Sequence, residues 1–255
     1  MVLTRDKLNL FLNQYLDVKK FDDYCLNGLQ VEGRQPIKKI CFSVSASREN
    51  IEKAVSMKAC AMIVHHGIFW KNNPVDSLKG PLKNRLAPLI KNDINLFSYH
   101  LPLDGHKKIG NAAVIAAKLG LLKVQPFGLY KGSFIGVKGC LKSKTSPAVL
   151  EKRLEHVLNH KIIVSTPSTT LSLRTIGIVT GGGGSFYKYA SNEKLDSYLT
   201  GEISENDWFD AKEAGLCLFA GGHNATEEFG ILALMKLIEK KFKVDCEFIK
   251  SYNPI

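Results

Sequence analysis

Apolar positions recur at helical spacing near the start of the chain. After Thr4, a residue suited to cap a helix, Leu8, Phe11, Leu12 and Tyr15 fall on one face, which predicts an amphipathic helix within 4–19. Asn27-Gly-Leu-Gln-Val-Glu-Gly33 breaks that pattern, and its glycines suit a loop or the edge of a strand. From Ile40 short apolar runs alternate with amphipathic stretches, predicting strands at 40–44, 60–64 and 94–99 and helices at 48–59, 82–91 and 111–119. The second half follows the same plan, with strands at 133–141, 161–165, 174–180, 195–199 and 216–220. Its helices fall at 146–159, 186–192, 207–214 and 226–240. Strands alternating with helices predict an α/β fold with mixed sheets flanked by helices.

The halves echo one another. Leu96-Phe-Ser-Tyr-His100 matches Leu218-Phe-Ala-Gly-Gly-His223, each histidine is followed four residues on by a carboxylate, Asp104 or Glu227, and then by Gly110 or Gly230. That echo predicts two α/β repeats, 1–125 and 126–255, with a metal site between them.

The composition of this 255-residue chain, 45% hydrophobic and 23% charged, is that of a globular protein and excludes disordered and collagen-like classes. No run approaches the roughly 18 apolar residues of a membrane helix. Arg5, Asp6 and Lys7 occupy the place of a signal peptide's apolar core, so a cytoplasmic location is expected. Six cysteines without a C-x-x-C pair are expected to be buried free thiols. The net charge of +11 suits a polyanionic ligand such as a nucleotide, or nucleic acid, and equally a lysine-rich solvated surface.

Histidines supply the candidate chemistry. His65 and His66 are adjacent at a predicted strand end, where the turn allowed by Gly67 lets both rings converge. His100 and His223 follow other strand ends, the edge at which α/β sheets build sites. Imidazoles with hard carboxylates suit Zn, Fe or Mn. His65, His66, Asp104, His223 and Glu227 exceed what one four-coordinate catalytic ion uses, so two divalent ions bridged by Asp104 and Glu227 fit better. Gly181-Gly-Gly-Gly184 matches neither G-x-G-x-x-G nor a Walker loop, leaving an anion-binding nest or a turn that needs glycine.

Taken in order, Asn27-Gly-Leu-Gln-Val-Glu-Gly33, Val64-His-His-Gly67, His100-Leu-Pro-Leu-Asp104 with Gly110-Asn111, Thr180-Gly-Gly-Gly183, Leu199-Thr-Gly-Glu202 and Gly222-His-Asn-Ala-Thr-Glu227 resemble the motifs of the Nif-three-like (NGG-one-interacting factor three) family. Its bacterial members are often called GTP cyclohydrolase 1 type 2 homologues. The resemblance implies duplicated, intertwined α/β repeats, a dinuclear metal site on the five residues above, and a homohexamer. It also implies that His100 and Glu202 line the site as supporting or proton-transfer groups. The chain departs from many members in having Gly67 where a proline often follows the histidine pair, and in lacking the long insertion some carry between the halves. Three functions remain open: a metal-dependent hydrolase opening the imidazole ring of a purine nucleotide such as GTP by metal-bound hydroxide, a metal-dependent phosphoesterase, and a non-enzymatic metal-loaded ring that could bind nucleic acid.

Overall fold

The computed structural model describes residues 2–170 and 172–255. They form two compact units, and the chain enters the second within a short helix and leaves it within a long one. The first unit comprises residues 2–103 and 231–252, the second residues 104–170, 172–230 and 253–255.

In the first unit, helix α1 (Arg5–Tyr15) starts at Thr4, whose hydroxyl accepts the Lys7 N–H at 3.3 Å. There follow β1 (Gly28–Val31), β2 (Lys39–Ser45), α2 (Arg48–Ser56), β3 (Ala61–His66), α3 (Gly80–Lys91), β4 (Asn95–Ser98) and the single turn α4 (Leu101–Asp104), which carries the chain across the boundary. The second unit continues with α5 (Asn111–Leu119), β5 (Leu122–Tyr130), β6 (Ser133–Thr145), α6 (Pro147–Leu158), β7 (Ile163–Ser165), β8 (Leu173–Ile178), α7 (Tyr187–Asn192), β9 (Ser197–Thr200), α8 (Glu205–Glu213) and β10 (Cys217–Ala220). Helix α9 (His223–Phe242) begins in this unit and ends in the first, where β11 (Asp245–Phe248) closes the chain's path.

Both sheets are mixed. The first has the order β1-β4-β3-β2-β11, all parallel except β1. The second, β5-β6-β8-β9-β10-β7, is parallel only across β8, β9 and β10. Register sets the faces: Cys41, Met62 and Leu96 lie side by side across three strands and pack with Ile51 and Ala54 of α2 and Leu86 and Leu89 of α3. In the second unit Ile176, Ile178, Leu199, Cys217 and Phe219 pack with Ile115 and Leu119 of α5 and Leu150 and Leu154 of α6. No helix of the described residues is long and apolar enough to cross a membrane.

Four features differ from the sequence expectation, one of them β11, which it leaves out. Strand β5 has no counterpart in it: the first five residues are exposed, so no alternation marks the strand, and Pro126 is tolerated there because β5 lies at a sheet edge. Pro102 does not keep its segment extended. It sits in the helical turn α4, where Leu103 N–H bonds the His100 carbonyl at 2.8 Å, since a proline in a first turn forfeits no helix bond. Helix α9 starts at His223 rather than Thr226, so Glu227 is one turn along the helix from His223 rather than at its cap.

Candidate functional site

Parallel pairing in the first sheet brings the carboxyl ends of β2, β3 and β4 to one edge, with Ser45 opposite His66 and Val64 opposite Ser98. His65 and His66 do converge there, their ring centroids 4.8 Å apart, and His100 lies 5.0 Å from His65 and 5.7 Å from His66. One ring nitrogen from each of the three falls within 4.8 Å of the others, so the group could hold a metal ion. Each Nδ1 is already engaged: that of His65 by the Tyr99 carbonyl at 2.9 Å, that of His66 by the Ser45 hydroxyl at 3.1 Å, and that of His100 by Asp23 at 3.0 Å. Such bonds fix the rings and leave Nε2 as the ligating or proton-exchanging nitrogen.

The Asn27-Gly-Leu-Gln segment supports this edge. Asn27 accepts the His100 N–H at 2.8 Å, and Gln30 Oε1 accepts the N–H groups of Ile68 and Phe69 while its Nε2 donates to the carbonyls of Leu26 and Phe69. Gln30 lies so close over Gly67 that a Cβ there would meet its Oε1 at 2.3 Å, so a side chain at this position would have to displace Gln30. The loop so pinned carries Trp70, stacked on Tyr24 at 5.6 Å and edge-on to His100 at 5.4 Å.

Sequence reasoning missed Asp23. Its carboxylate accepts from Cys25 N and His100 Nδ1 on one oxygen and from Asn27 Nδ2 and Leu101 N on the other. Burial works against its charge, but the His100 ring and the other donors hold it down at about 2. Nothing local marks Asp23 in the sequence, because its partner is 77 residues away. Burial pushes the thiols of Cys25, Cys41 and Cys217 up to about 11, in keeping with a packing role.

In the second unit the parallel strands β8, β9 and β10 end together, and the chain leaves them through Gly181, Glu202 and His223. The first carbonyl of the glycine run faces inward and accepts from Gly201 N, Glu202 N and Thr200 Oγ1. Gly181 itself, at φ 62, donates to Thr226 Oγ1, and a Cβ on it would lie 2.1 Å from Glu227 Oε1. At Gly181 a glycine both takes this φ and leaves room for the Glu227 carboxylate to press against the backbone.

His223 lies between two carboxylates, with Nδ1 3.1 Å from Glu202 and Nε2 3.3 Å from Glu227. Burial opposes a charge on the ring, yet Glu227 and Glu202 outweigh it and raise the imidazole to about 9. Asp104, oriented by Asn111 at 2.8 Å and Thr180 at 3.4 Å, presents an oxygen within 4.8 Å of one from Glu227. Both carboxylates are buried. Two buried carboxylates at this separation are eased by a cation or a shared proton between them, and an imidazole beside hard oxygens is a donor set that fits Zn, Fe or Mn.

The sequence model of the Duf34/NIF3 (NGG1p interacting factor 3) family matches residues 3–254. The chain belongs to this family. Among relatives of the family, a protein of Pasteurella multocida named GTP cyclohydrolase 1 type 2 homolog is 42% identical over 250 residues, covering 97% of this chain and 98% of its own. A Neisseria meningitidis protein of the same name is 40% identical over the full length of both. Among solved structures, the protein ybgI, of unknown function, superposes with a TM-score of 0.93 at 36% identity, and TTHA1606 from Thermus thermophilus with 0.90 at 32%; each comparison covers 100% of both chains.

Proposed function

We propose that this NIF3-family chain is a metal-dependent hydrolase in which His65, His66, Asp104, His223 and Glu227 hold two divalent ions, Zn, Fe or Mn, and a purine nucleotide is the substrate. The observation that carries the reading is the buried pair Asp104 and Glu227, whose oxygens approach within 4.8 Å and form a hard-oxygen donor set that suits a divalent cation. The substrate class follows from the name GTP cyclohydrolase 1 type 2 homolog borne by relatives. Divalent ions supply Lewis acidity and lower the pKa of a coordinated water.

The protein's own groups do the rest. The bonds on Nδ1 of His65 and His66 orient both rings to bind through Nε2. Asn111 and Thr180 orient Asp104, and Gly181 lets Glu227 reach its place. Glu202, with its side chain 46% exposed, can exchange a proton with solvent while it holds His223 Nδ1. His100 moves a proton at Nε2 as the purine imidazole ring opens. A homohexamer belongs to the same reading: Leu122, Val124 and Leu129 of β5 and Phe134 of β6 are exposed apolar side chains of a kind that a further copy covers.

The test is to load the protein with Zn, Fe or Mn in turn, count ions per chain by elemental analysis, and assay formate release from GTP beside cleavage of a model phosphodiester. About two ions per chain with formate release supports the reading. Phosphodiester cleavage alone replaces the cyclohydrolase with a phosphoesterase. Neither reaction, together with salt-sensitive nucleic-acid binding that survives chelation, favours a scaffold.

A further inference from the structure

His100 differs from its neighbours in what holds it. His65 and His66 have a carbonyl and a hydroxyl on Nδ1, whereas His100 has the carboxylate of Asp23, a residue only 1% exposed. Each oxygen of that carboxylate faces two donors. On Oδ1 these are His100 Nδ1 at 3.0 Å and Cys25 N at 2.9 Å, and on Oδ2 they are Leu101 N at 2.9 Å and Asn27 Nδ2 at 2.8 Å. Asn27 in turn accepts the backbone N–H of His100 at 2.8 Å. Ring and backbone of one histidine are thus gripped by a single loop far from it in the chain.

A cap for α4 would need only the bond to Leu101. The bond to the ring does something else: a carboxylate has no proton to give, so His100 Nδ1 must be the donor. We propose that Asp23 is the positioning residue for His100, keeping the proton on Nδ1 so that Nε2 is the nitrogen that takes up and returns protons, with Asn27 holding the histidine in register. The carboxylate also stabilises the positive charge the ring carries while it holds a transferred proton, as the buried aspartate does in serine hydrolases. The role rests on the hydrolase reading above, but the tautomer does not.

Magic-angle-spinning 15N spectra of histidine-labelled, zinc-loaded protein read the tautomer directly, with the His100 signals assigned by their loss in His100→Gln. Nδ1 is expected to carry a proton in the wild type, and Asp23→Asn is expected to shift that proton toward Nε2 without loss of bound zinc. In the hydrolase assay Asp23→Asn should lower kcat about 100-fold with KM nearly unchanged, within the range of acid–base catalysis. The double variant with His100→Gln should be no worse than His100→Gln alone. A wild-type His100 protonated only on Nε2 overturns the proposal whatever the enzyme does, and so does full turnover in Asp23→Asn. If Nδ1 is protonated but no substrate reacts, the hydrolase reading fails and the assignment of Asp23 to His100 stands. Should Asp23→Asn fail to fold, the wild-type spectrum decides the tautomer, and Asn27→Ala, which frees the His100 N–H, must reduce kcat at unchanged metal content.

Discussion

Replacing Gly181 with Ala puts a methyl group 2.1 Å from Glu227 Oε1, 3.0 Å from its Cδ and 3.1 Å from His223 Nε2. The backbone cannot retreat, because Gly181 N donates to Thr226 Oγ1 at 3.1 Å and its carbonyl accepts from Gly201 N at 3.0 Å and Glu202 N at 3.1 Å. Glu227 must therefore withdraw by about 1 Å or more to restore van der Waals contact. Metal coordination tolerates only about 0.2 Å, so affinity should fall by more than about tenfold. At φ 62 the alanine also sits in the left-handed region, which costs about 1–2 kcal/mol and lowers Tm by about 2–8 °C in a chain of this size. Gly182→Ala is the control: its Cβ would come no nearer than 3.4 Å, to Glu202 Oε1. Zinc affinity by competition with a chromophoric chelator, and Tm in chelator, separate the two effects. If Gly181→Ala binds zinc as the wild type does, or if Gly182→Ala loses as much, the argument that this glycine makes room for a metal-binding carboxylate is refuted.

His66→Ala and Glu227→Ala should each lose bound metal under conditions where circular dichroism still reports a folded protein; unchanged metal content would remove that residue from the ligand set. Because Asp23 is held at about 2 against an ordinary 3.8, it contributes about 2 kcal/mol of stability that is full above pH 3.8 and lost as pH falls through 2. Urea unfolding at stepped pH should show the gap between wild type and Asp23→Asn narrowing on acidification, and a constant gap contradicts this. Light scattering should give six times the 28.3 kDa chain mass, whereas a monomer across a wide concentration range rules out the ring.

Much of the fold was written in local pattern. Leu8 and Leu12 lie on one face of a helix, and the apolar runs around Met62, Leu96 and Leu218 are strands, because periodicity and burial are the same physical fact seen along the chain. The histidines and carboxylates stood out for their chemistry and for their place just beyond those strands. What sequence could not supply were relations between distant residues. Strand β11 completes the first sheet beside β2 because Cys246 pairs in register with Ile40, a choice made by backbone pairing that leaves no local trace. Gly181 read as a turn former and does take φ 62, but the crowding of a Cβ by Glu227 there, and by Gln30 at Gly67, comes from residues distant in the chain. Asp23 had no motif at all. Its importance lies in four donors, two of them from a segment more than seventy residues on, and only the folded chain brings donors and acceptor together.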